Sequence, residues 1–190
     1  MSHKLYLGSG SPRRVELLKQ MNVSFEQRVI DVDEVFSQKL KGAAIPDFLA
    51  KLKGQAHQKK LMPNELVLTA DTIVWHEGTA LGKPKNESDA IQMLSSLSGK
   101  THEVISSVCL SNISSQKCIN DTTKVTLRKL TLNEINHYVH TYKPLDKAGA
   151  YGIQEWIGLV GVEKIEGSYT NVVGLPTHKT FELLSTFQIT

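Results

Sequence analysis

The sequence predicts an α/β fold. Short apolar segments of strand character alternate along the chain with segments in which apolar residues recur at helical spacing. Of the 190 residues, 40% are hydrophobic and 22% are charged, a composition typical of globular proteins. This length suits one domain, and no linker, repeat or low-complexity run divides the sequence. We therefore expect residues 1–190 to form a single domain.

Cap residues and turn residues set the elements of the first half. Ser11 and Pro12 are suited to start a helix, and Asn22 is suited to end it. A strand at 5–7 precedes this helix, and an extended segment at 24–32 follows it. A second helix is predicted from about Pro46, with Phe48, Leu49, Leu52 and Ala56 on one face. A strand at 66–75 and a helix near 87–97, which Gly99 stops, complete the first half.

The second half contains two predicted hairpins and two predicted helices. Thr131 and Glu134 have the spacing of a capping box, which predicts a helix that ends at about residues 142–145. The other predicted elements are a hairpin of 103–112 and 117–128, a glycine-containing loop at 146–158, a second hairpin of 157–165 and 169–173, and a last helix at 177–187.

Charge and cysteine content exclude several classes of function. The chain has 22 Lys and Arg and 19 Asp and Glu, so its formal net charge is +3. This excess is too small to predict nucleic-acid binding, but it allows a local anion site. Cys109 and Cys118 alone cannot form a disulfide framework or a structural zinc site. They are expected to face each other on one hairpin, where a bridge is geometrically feasible, but two reduced cysteines are the favoured interpretation.

No part of the sequence predicts a membrane segment. No apolar stretch approaches the ~20 residues that a bilayer span requires, and no signal-peptide core follows the first residues. The predicted location is the cytoplasm, without a membrane partner.

The first candidate site lies at residues 8–14 (GSGSPRR). A strand enters a loop of small residues that opens a helix, and free N–H groups at a helix start favour anions. Arg13 and Arg14 add forked donors that fit phosphate oxygens. A dinucleotide-binding G-x-G-x-x-G motif is excluded because its third glycine position is Arg13. The alternative is a plain helix cap with solvated arginines.

Acidic residues form the second and third candidates. Asp71 interrupts an apolar strand, and a buried carboxylate must be hydrogen-bonded, metal-bound or at the strand end. A general base or metal ligand and a structural aspartate are both compatible with this position. Asp31, Asp33 and Glu34 offer oxygen ligands suited to Mg²⁺, although a solvated acidic loop is favoured when the segment is read alone.

Lysines and one loop supply the remaining candidates. Four lysines are assigned to the second predicted helix and expected to be mostly solvated: Lys51, Lys53, Lys59 and Lys60. Lys83 is more suggestive, because Gly82 and Pro84 restrict the backbone around it. The loop at 146–154 has small residues that permit close approach of a ligand, and Gln154 offers both a donor and an acceptor.

Six motifs in one order resemble the Maf-type nucleoside triphosphate pyrophosphatases. They are residues 9–14 (SGSPRR), 70–72 (ADT), 82–84 (GKP), 98–102 (SGKTH), 146–154 (DKAGAYGIQ) and the pair 167–169 (GSY) and 171–176 (NVVGLP). The similarity extends over about residues 4–187. It implies a fold related to the inosine triphosphatase group, in which a long, twisted, mixed sheet is flanked by helices and two lobes surround a cleft.

The resemblance also implies an activity and its residues. The reaction is hydrolysis of a nucleoside triphosphate between the α and β phosphates, with Mg²⁺ or Mn²⁺. Asp71 corresponds to the general base, and Glu34 is expected to hold the metal with it. The other active-site positions correspond to Ser9, Arg14, Lys53 and Lys83.

Three further positions distinguish substrate branches in this family. They correspond to Arg13, Thr72 and Gln154, which resemble the dTTP/UTP branch rather than the 7-methyl-GTP branch. The chain departs from the family pattern at residues 155–158, where EWIG replaces a small, glycine-rich stretch. One alternative is a pyrophosphatase that prefers 7-methyl-GTP, and another is a non-catalytic nucleotide-binding regulator of septum formation. The chain could also assemble as a homodimer.

Overall fold

The computed structural model describes residues 3–187. Its strands are β1 Lys4–Leu7, β2 Glu26–Gln27, β3 Glu65–His76, β4 Thr79–Leu81, β5 Thr101–Ser111, β6 Gln116–Leu127 and β7 Val162–Glu166. Its helices are α1 Pro12–Gln20, α2 Ala44–Gln58, α3 Glu87–Leu97, α4 Leu132–Tyr142, α5 Trp156–Gly161, α6 Tyr169–Val173 and α7 Thr177–Ser185, with a 3₁₀ turn at Ala148–Ala150.

The strands form one mixed sheet, as expected. Their order is β2-β1-β3-β5-β6-β7, and β4 pairs with β3 outside this path. β1 is parallel to both β2 and β3. The pairings of β3 with β4 and β5, of β5 with β6, and of β6 with β7 are antiparallel. The long strands β3 and β5 lie at the centre of the sheet, and each contributes residues to the two largest hydrophobic clusters of the core.

Two hydrophobic clusters meet along one face of β3. Leu66, Leu68 and Ala70 pack in a cluster with residues of α1 and α7, whereas Val74 packs in a cluster with residues of α3 and α4. Thr72 lies between them on the same face, because side chains alternate along a strand. The division of the core at this point gives two lobes, and the cleft between them opens at the middle of β3.

Local signals predicted several elements correctly. The capping box is present: Thr131 Oγ1 accepts from the Glu134 N–H, and Glu134 accepts from the Thr131 N–H. The first hairpin forms from β5 and β6, and Gly99 ends α3 with a φ of 72°. Asn22 follows α1 with a φ of 56°, a left-handed conformation that asparagine tolerates well.

The second predicted hairpin is wrong. Residues 156–161 form α5, which buries Ile157 and Gly161, and only 162–166 form a strand. Residues 169–173 form α6, and its cap Ser168 accepts from the Asn171 N–H. The apolar residues of both segments pack inward from helices, and a short apolar run does not distinguish this arrangement from a strand.

Smaller corrections concern the first half and the chain end. Of the extended segment at 24–32, only Glu26–Gln27 pairs as a strand. α2 begins at Ala44 rather than near Pro46, and Phe48 is 40% exposed instead of facing inward. Ser11 stands at the N-cap of α1, but its side chain makes no capping hydrogen bond. α7 ends at Ser185 rather than at residue 187.

The two cysteines face each other across β5 and β6, as predicted. Cys109 and Cys118 are direct cross-strand partners, with Cα atoms 4.1 Å apart. The structure joins them in a disulfide, which corrects the expectation of two reduced cysteines.

The helices within residues 3–187 are all too short or too polar to traverse a lipid bilayer.

Candidate active site

A cleft of about 680 Å³ opens between the two lobes. Its walls are the loop after β1, the middle of β3, the irregular segment before α2, and the loops near residues 150 and 173. The nine site residues that the family resemblance implied all line this one cleft: Ser9, Arg13, Arg14, Glu34, Lys53, Asp71, Thr72, Lys83 and Gln154. The fold therefore brings together residues that are far apart in the chain.

Asp71 lies where one edge of β3 faces the cleft. β3 pairs with β1 up to Leu68 and with β4 from Val74 onward, so in the described structure no strand covers that edge between them. Asp71 is only 6% exposed. Burial raises the pKa of its carboxyl group, and the positive charges of Lys53 and Arg14 oppose this effect. The position combines a desolvated carboxylate with access to the cleft.

Lys53 connects the two carboxylates of the site. Its Nζ lies 2.6 Å from Asp71 Oδ1 and 3.0 Å from Glu34 Oε1. The lysine comes from α2, and Glu34 comes from the irregular segment that precedes this helix. Two oxygens that contact the same ammonium nitrogen lie within about 5.6 Å of each other. They therefore converge on one point where positive charge is favoured.

This carboxylate pair fits a divalent metal. Hard carboxylate oxygens are the ligands that Mg²⁺ and Mn²⁺ prefer, and Mg²⁺ needs only one or two of them when phosphates and water complete its shell. Within residues 3–187 no group of three or more His, Cys, Asp or Glu side chains is arranged for a metal. The chemistry of the Glu34 and Asp71 oxygens therefore suits a divalent metal whose remaining ligands are water and an anionic ligand.

Arg14 links three segments around the cleft. Its Nε donates to Gly174 O at 2.9 Å, and its guanidinium nitrogens donate to Ser9 Oγ at 3.1 Å, Ala70 O at 2.9 Å and Thr72 Oγ1 at 3.2 Å. Burial lowers the pKa of the guanidinium, while the Asp71 carboxylate opposes that shift, and an arginine remains charged. Most of its donors serve the protein, so Arg14 positions the first loop and adds positive charge.

The start of α1 lines the cleft. Pro12 has no N–H and the Ser11 side chain does not cap the helix, so the N–H groups of Arg13 and Arg14 remain available to an anion. Ser9 is buried and is fixed by Arg14 and by Gln27, whose Nε2 donates to Ser9 O at 2.7 Å. These contacts support the phosphate-binding interpretation of this loop.

Lys83 and Gln154 are exposed on the walls of the cleft. Among the described residues, neither side chain has a hydrogen-bond partner or an ion pair. Both can therefore reorient toward a ligand. Arg13 differs, because its guanidinium lies 2.8 Å from Asp146 Oδ2. Partial burial raises the pKa of Asp146, but hydrogen bonds from Lys147 and Arg13 outweigh it and lower this pKa to about 2.

Some predicted candidates lie outside the cleft, and some contacts were not predicted. Asp33 and three of the four lysines do not line the cleft, and Lys59 and Lys60 lie beyond the end of α2. The contribution of Gly174 is a backbone carbonyl, which no side-chain pattern reveals. Lys147 was part of a recognised motif, but nothing in the sequence indicated its burial or partners.

A match along nearly the whole sequence shows the family of this chain. The family model described as Maf-like protein matches residues 4–187. The chain belongs to the Maf-like family. The match covers the whole described structure except its first residue, His3.

Two curated relatives share about half of their residues with this Maf-like protein. A protein of Flavobacterium johnsoniae is 52% identical over 184 residues, which cover 97% of this chain and 95% of the relative. A protein of Bacteroides fragilis is 52% identical over 183 residues, which cover 96% of this chain and 95% of the relative. Both relatives are named dTTP/UTP pyrophosphatase.

A solved structure shows the same fold at low identity. A HAM1 protein from Coxiella burnetii superposes on this Maf-like protein with a TM-score of 0.54 and 14% identity, covering 97% of this chain and 99% of that one. This likeness confirms the predicted fold class, a mixed sheet flanked by helices.

Proposed function

We propose that this Maf-like protein hydrolyses dTTP and UTP between the α and β phosphates, giving the monophosphate and pyrophosphate. The observation that carries the proposal is the buried Asp71 carboxylate, held by Lys53 beside Arg14 in an open cleft. The names of the relatives from Flavobacterium johnsoniae and Bacteroides fragilis support the choice of substrates. The reaction takes place in the cytoplasm, where these nucleotides are made and used.

Positive groups neutralise the triphosphate. The negative charge on its oxygens opposes attack of a nucleophile at phosphorus. Catalysis therefore depends on neutralising this charge and on positioning the attacking water. Lys53 and Lys83 both line the cleft, and the start of α1 offers backbone N–H groups. Ser9 and Arg14 hold this helix start against β3.

Asp71 orients the attacking water and takes its proton. A general base works best when its pKa lies near the operating pH, and burial shifts the pKa of Asp71 in that direction. The contact with Lys53 fixes the carboxylate, because Lys53 Nζ donates to Asp71 Oδ1 at 2.6 Å. Oδ2 has no hydrogen-bond partner among the described residues and is directed to the reacting water.

Glu34 and Asp71 hold a divalent metal, Mg²⁺ or Mn²⁺. When bound, the metal neutralises charge on the phosphate oxygens. Lys53 contacts both of these carboxylates and keeps their oxygens together in the free protein.

Arg13, Thr72 and Gln154 select the base. The amide of Gln154 offers one donor group and one acceptor, which match the alternating edge of uracil or thymine. A single methyl group separates thymine from uracil, and a pocket contact with it is worth only about 1–3 kcal/mol. Both nucleotides are therefore substrates of the same site.

A panel of nucleotides tests the proposed substrates. With Mg²⁺ present, we expect dTTP and UTP to lead in kcat/KM and to differ from each other by no more than about 200-fold, because they differ by one methyl group. Pyrophosphate release is measured for the standard triphosphates and for 7-methyl-GTP. A panel led by purine nucleotides would contradict the substrate assignment, and no release from any nucleotide would favour a non-catalytic nucleotide-binding regulator.

Metal removal tests the role of Glu34. We expect chelation by EDTA to abolish pyrophosphate release and added Mg²⁺ or Mn²⁺ to restore it. The Glu34→Gln variant keeps the side-chain shape but loses a charged ligand, so it should need a several-fold higher Mg²⁺ concentration for its half-maximal rate. The exposed Glu163→Gln on β7 is the matched control. Equal Mg²⁺ dependence of the wild type and Glu34→Gln would remove Glu34 from the metal site.

A further inference from the structure

Lys147 is a buried lysine that the proposed chemistry does not use. It is 8% exposed, although it lies in the wall of the cleft. Its Nζ lies 2.7 Å from Asp146 Oδ1 and 3.1 Å from Glu155 Oε1. Burying an ammonium group is costly unless it is paired, and here two carboxylates pair it. The lysine thus bridges the two ends of the loop that carries Gln154.

The Glu155 end of this bridge is fixed from inside the molecule. Glu155 Oε2 accepts a hydrogen bond from the hydroxyl of Tyr138, a fully buried residue of α4. The same hydroxyl oxygen accepts from the Gly152 N–H at 3.0 Å. Tyr138 therefore holds both the side chain of Glu155 and the backbone of the loop.

The loop backbone packs directly against the bridge. The Glu155 N–H donates to Gly152 O at 3.0 Å, which closes a turn that includes Gln154. A Cβ atom on Gly152 would lie 2.9 Å from Glu155 Cδ and 3.0 Å from Lys147 Cε. A larger side chain at this position would displace the ends of Glu155 and Lys147, so the turn and the bridge are in direct contact.

The other end of the bridge leads to Arg13. Asp146 Oδ1 contacts Lys147, and its Oδ2 contacts Arg13. Both residues that the proposed function assigns to base selection at this wall, Arg13 and Gln154, are thus connected through one ammonium group.

We propose that Lys147 is a positioning residue for nucleobase recognition, because its bridge between Asp146 and Glu155 holds Gln154 and Arg13 at a fixed separation. This inference rests on the proposed function and adds a specificity-determining residue to it. Glu155 belongs to the segment at 155–158 in which the chain departs from the Maf-type pattern, and its carboxylate forms one end of this bridge.

Two product fragments separate the base subsite from the phosphate subsite. UMP and inorganic pyrophosphate are used as inhibitors of UTP hydrolysis. For Lys147→Met we expect KM for UTP and the inhibition constant of UMP to rise about tenfold, the effect of losing one well-placed polar contact. The pyrophosphate inhibition constant and kcat should stay within about twofold of the wild type, because Lys147 does not contact the groups that bind phosphate.

A second variant keeps the test independent of folding. Glu155→Gln preserves the side-chain shape and should shift UMP in the same direction by a smaller factor. The double variant should be no worse than Lys147→Met, because both changes remove one shared interaction. Glu163→Gln again serves as the control.

The possible failures are distinct. If wild-type protein neither hydrolyses UTP nor binds UMP, the proposed function fails and this inference fails with it. If the wild type does both, but the Lys147 and Glu155 variants weaken UMP and pyrophosphate equally, the bridge is merely structural. If UMP binding is unchanged in Glu155→Gln, and also in Lys147→Met where that variant folds, Lys147 does not position the base-selecting residues.

Discussion

The Asp71→Asn variant is expected to lose kcat by a factor of about 10²–10⁴ while it still binds UTP. Asparagine has the shape of aspartate and can still accept a hydrogen bond from Lys53 through its amide oxygen. It cannot take a proton from water, so the step that needs a base is lost. Removing a negative charge beside Lys53 and Arg14 also lowers the repulsion of the phosphates. Because Asp71 is also assigned to the metal, affinity is compared without Mg²⁺, where nucleotide affinity of the variant should be equal to that of the wild type or higher.

Kinetics and binding are measured on the same preparation. Pyrophosphate release gives kcat, and titration calorimetry of the variant gives its affinity for UTP without turnover. The matched control is Asp33→Asn, an exposed change on the same segment as Glu34 that lies outside the cleft lining. Wild-type kcat in Asp71→Asn would show that another group is the base, and loss of UTP binding would show that Asp71 acts mainly in binding.

The elements predicted most accurately are those whose signals are local. The capping box at Thr131 and Glu134 satisfies backbone donors within one turn, so its effect does not depend on the rest of the fold. The hairpin of β5 and β6 follows from two β-rich runs joined by a short polar turn. In both cases the interacting residues are close together in the sequence, so a local pattern is enough to predict the element.

The errors arise where tertiary packing decides between alternatives. Residues 157–162 are apolar and include β-branched side chains, yet most of them form α5, in which Ile157 packs into the core and Gly161 is buried. The end of the segment predicted to be extended behaves in the same way: residues 29–32 line the cleft instead of pairing, and the nearby Glu34 reaches Lys53. Propensity is a weak guide when a segment must cover a site.

The site shows the same distinction between residue type and partner. Asp71 was recognisable because a carboxylate interrupts an apolar strand. Its partner Lys53 could not be chosen from residue chemistry among the lysines assigned to its helix, since the choice depends on how α2 packs on β3; only the family resemblance identified it. Glu155 was visible in the sequence only as a departure from a family pattern, whereas the structure shows it bound to Lys147 and Tyr138.

The second large effect is expected for Arg14→Lys, which keeps the charge but loses the planar fork. One ammonium group cannot replace all of these contacts, because three different nitrogens make them: Nε donates to Gly174 O, one terminal nitrogen to Ser9 Oγ and Ala70 O, and the other to Thr72 Oγ1. Net losses of about 1 kcal/mol per hydrogen bond predict a fall of roughly 2–4 kcal/mol in the free energy of unfolding. The loop of Ser9 would shift relative to β3, and a displacement of about 1 Å in a positioned group can lower the rate about 10²-fold.

Comparison with Arg128→Lys separates the catalytic effect from the loss of stability. Arg128 also makes several hydrogen bonds, to Val160 O, Lys129 O and the Glu134 carboxylate, but it lies outside the cleft lining. Urea unfolding should show both variants destabilised. Only Arg14→Lys should lose kcat when pyrophosphate release is measured at a temperature at which both proteins are folded. If folded Arg14→Lys retained wild-type kcat, the guanidinium would support the fold without positioning the phosphate-binding loop, and the alignment of that loop with β3 would not limit the reaction.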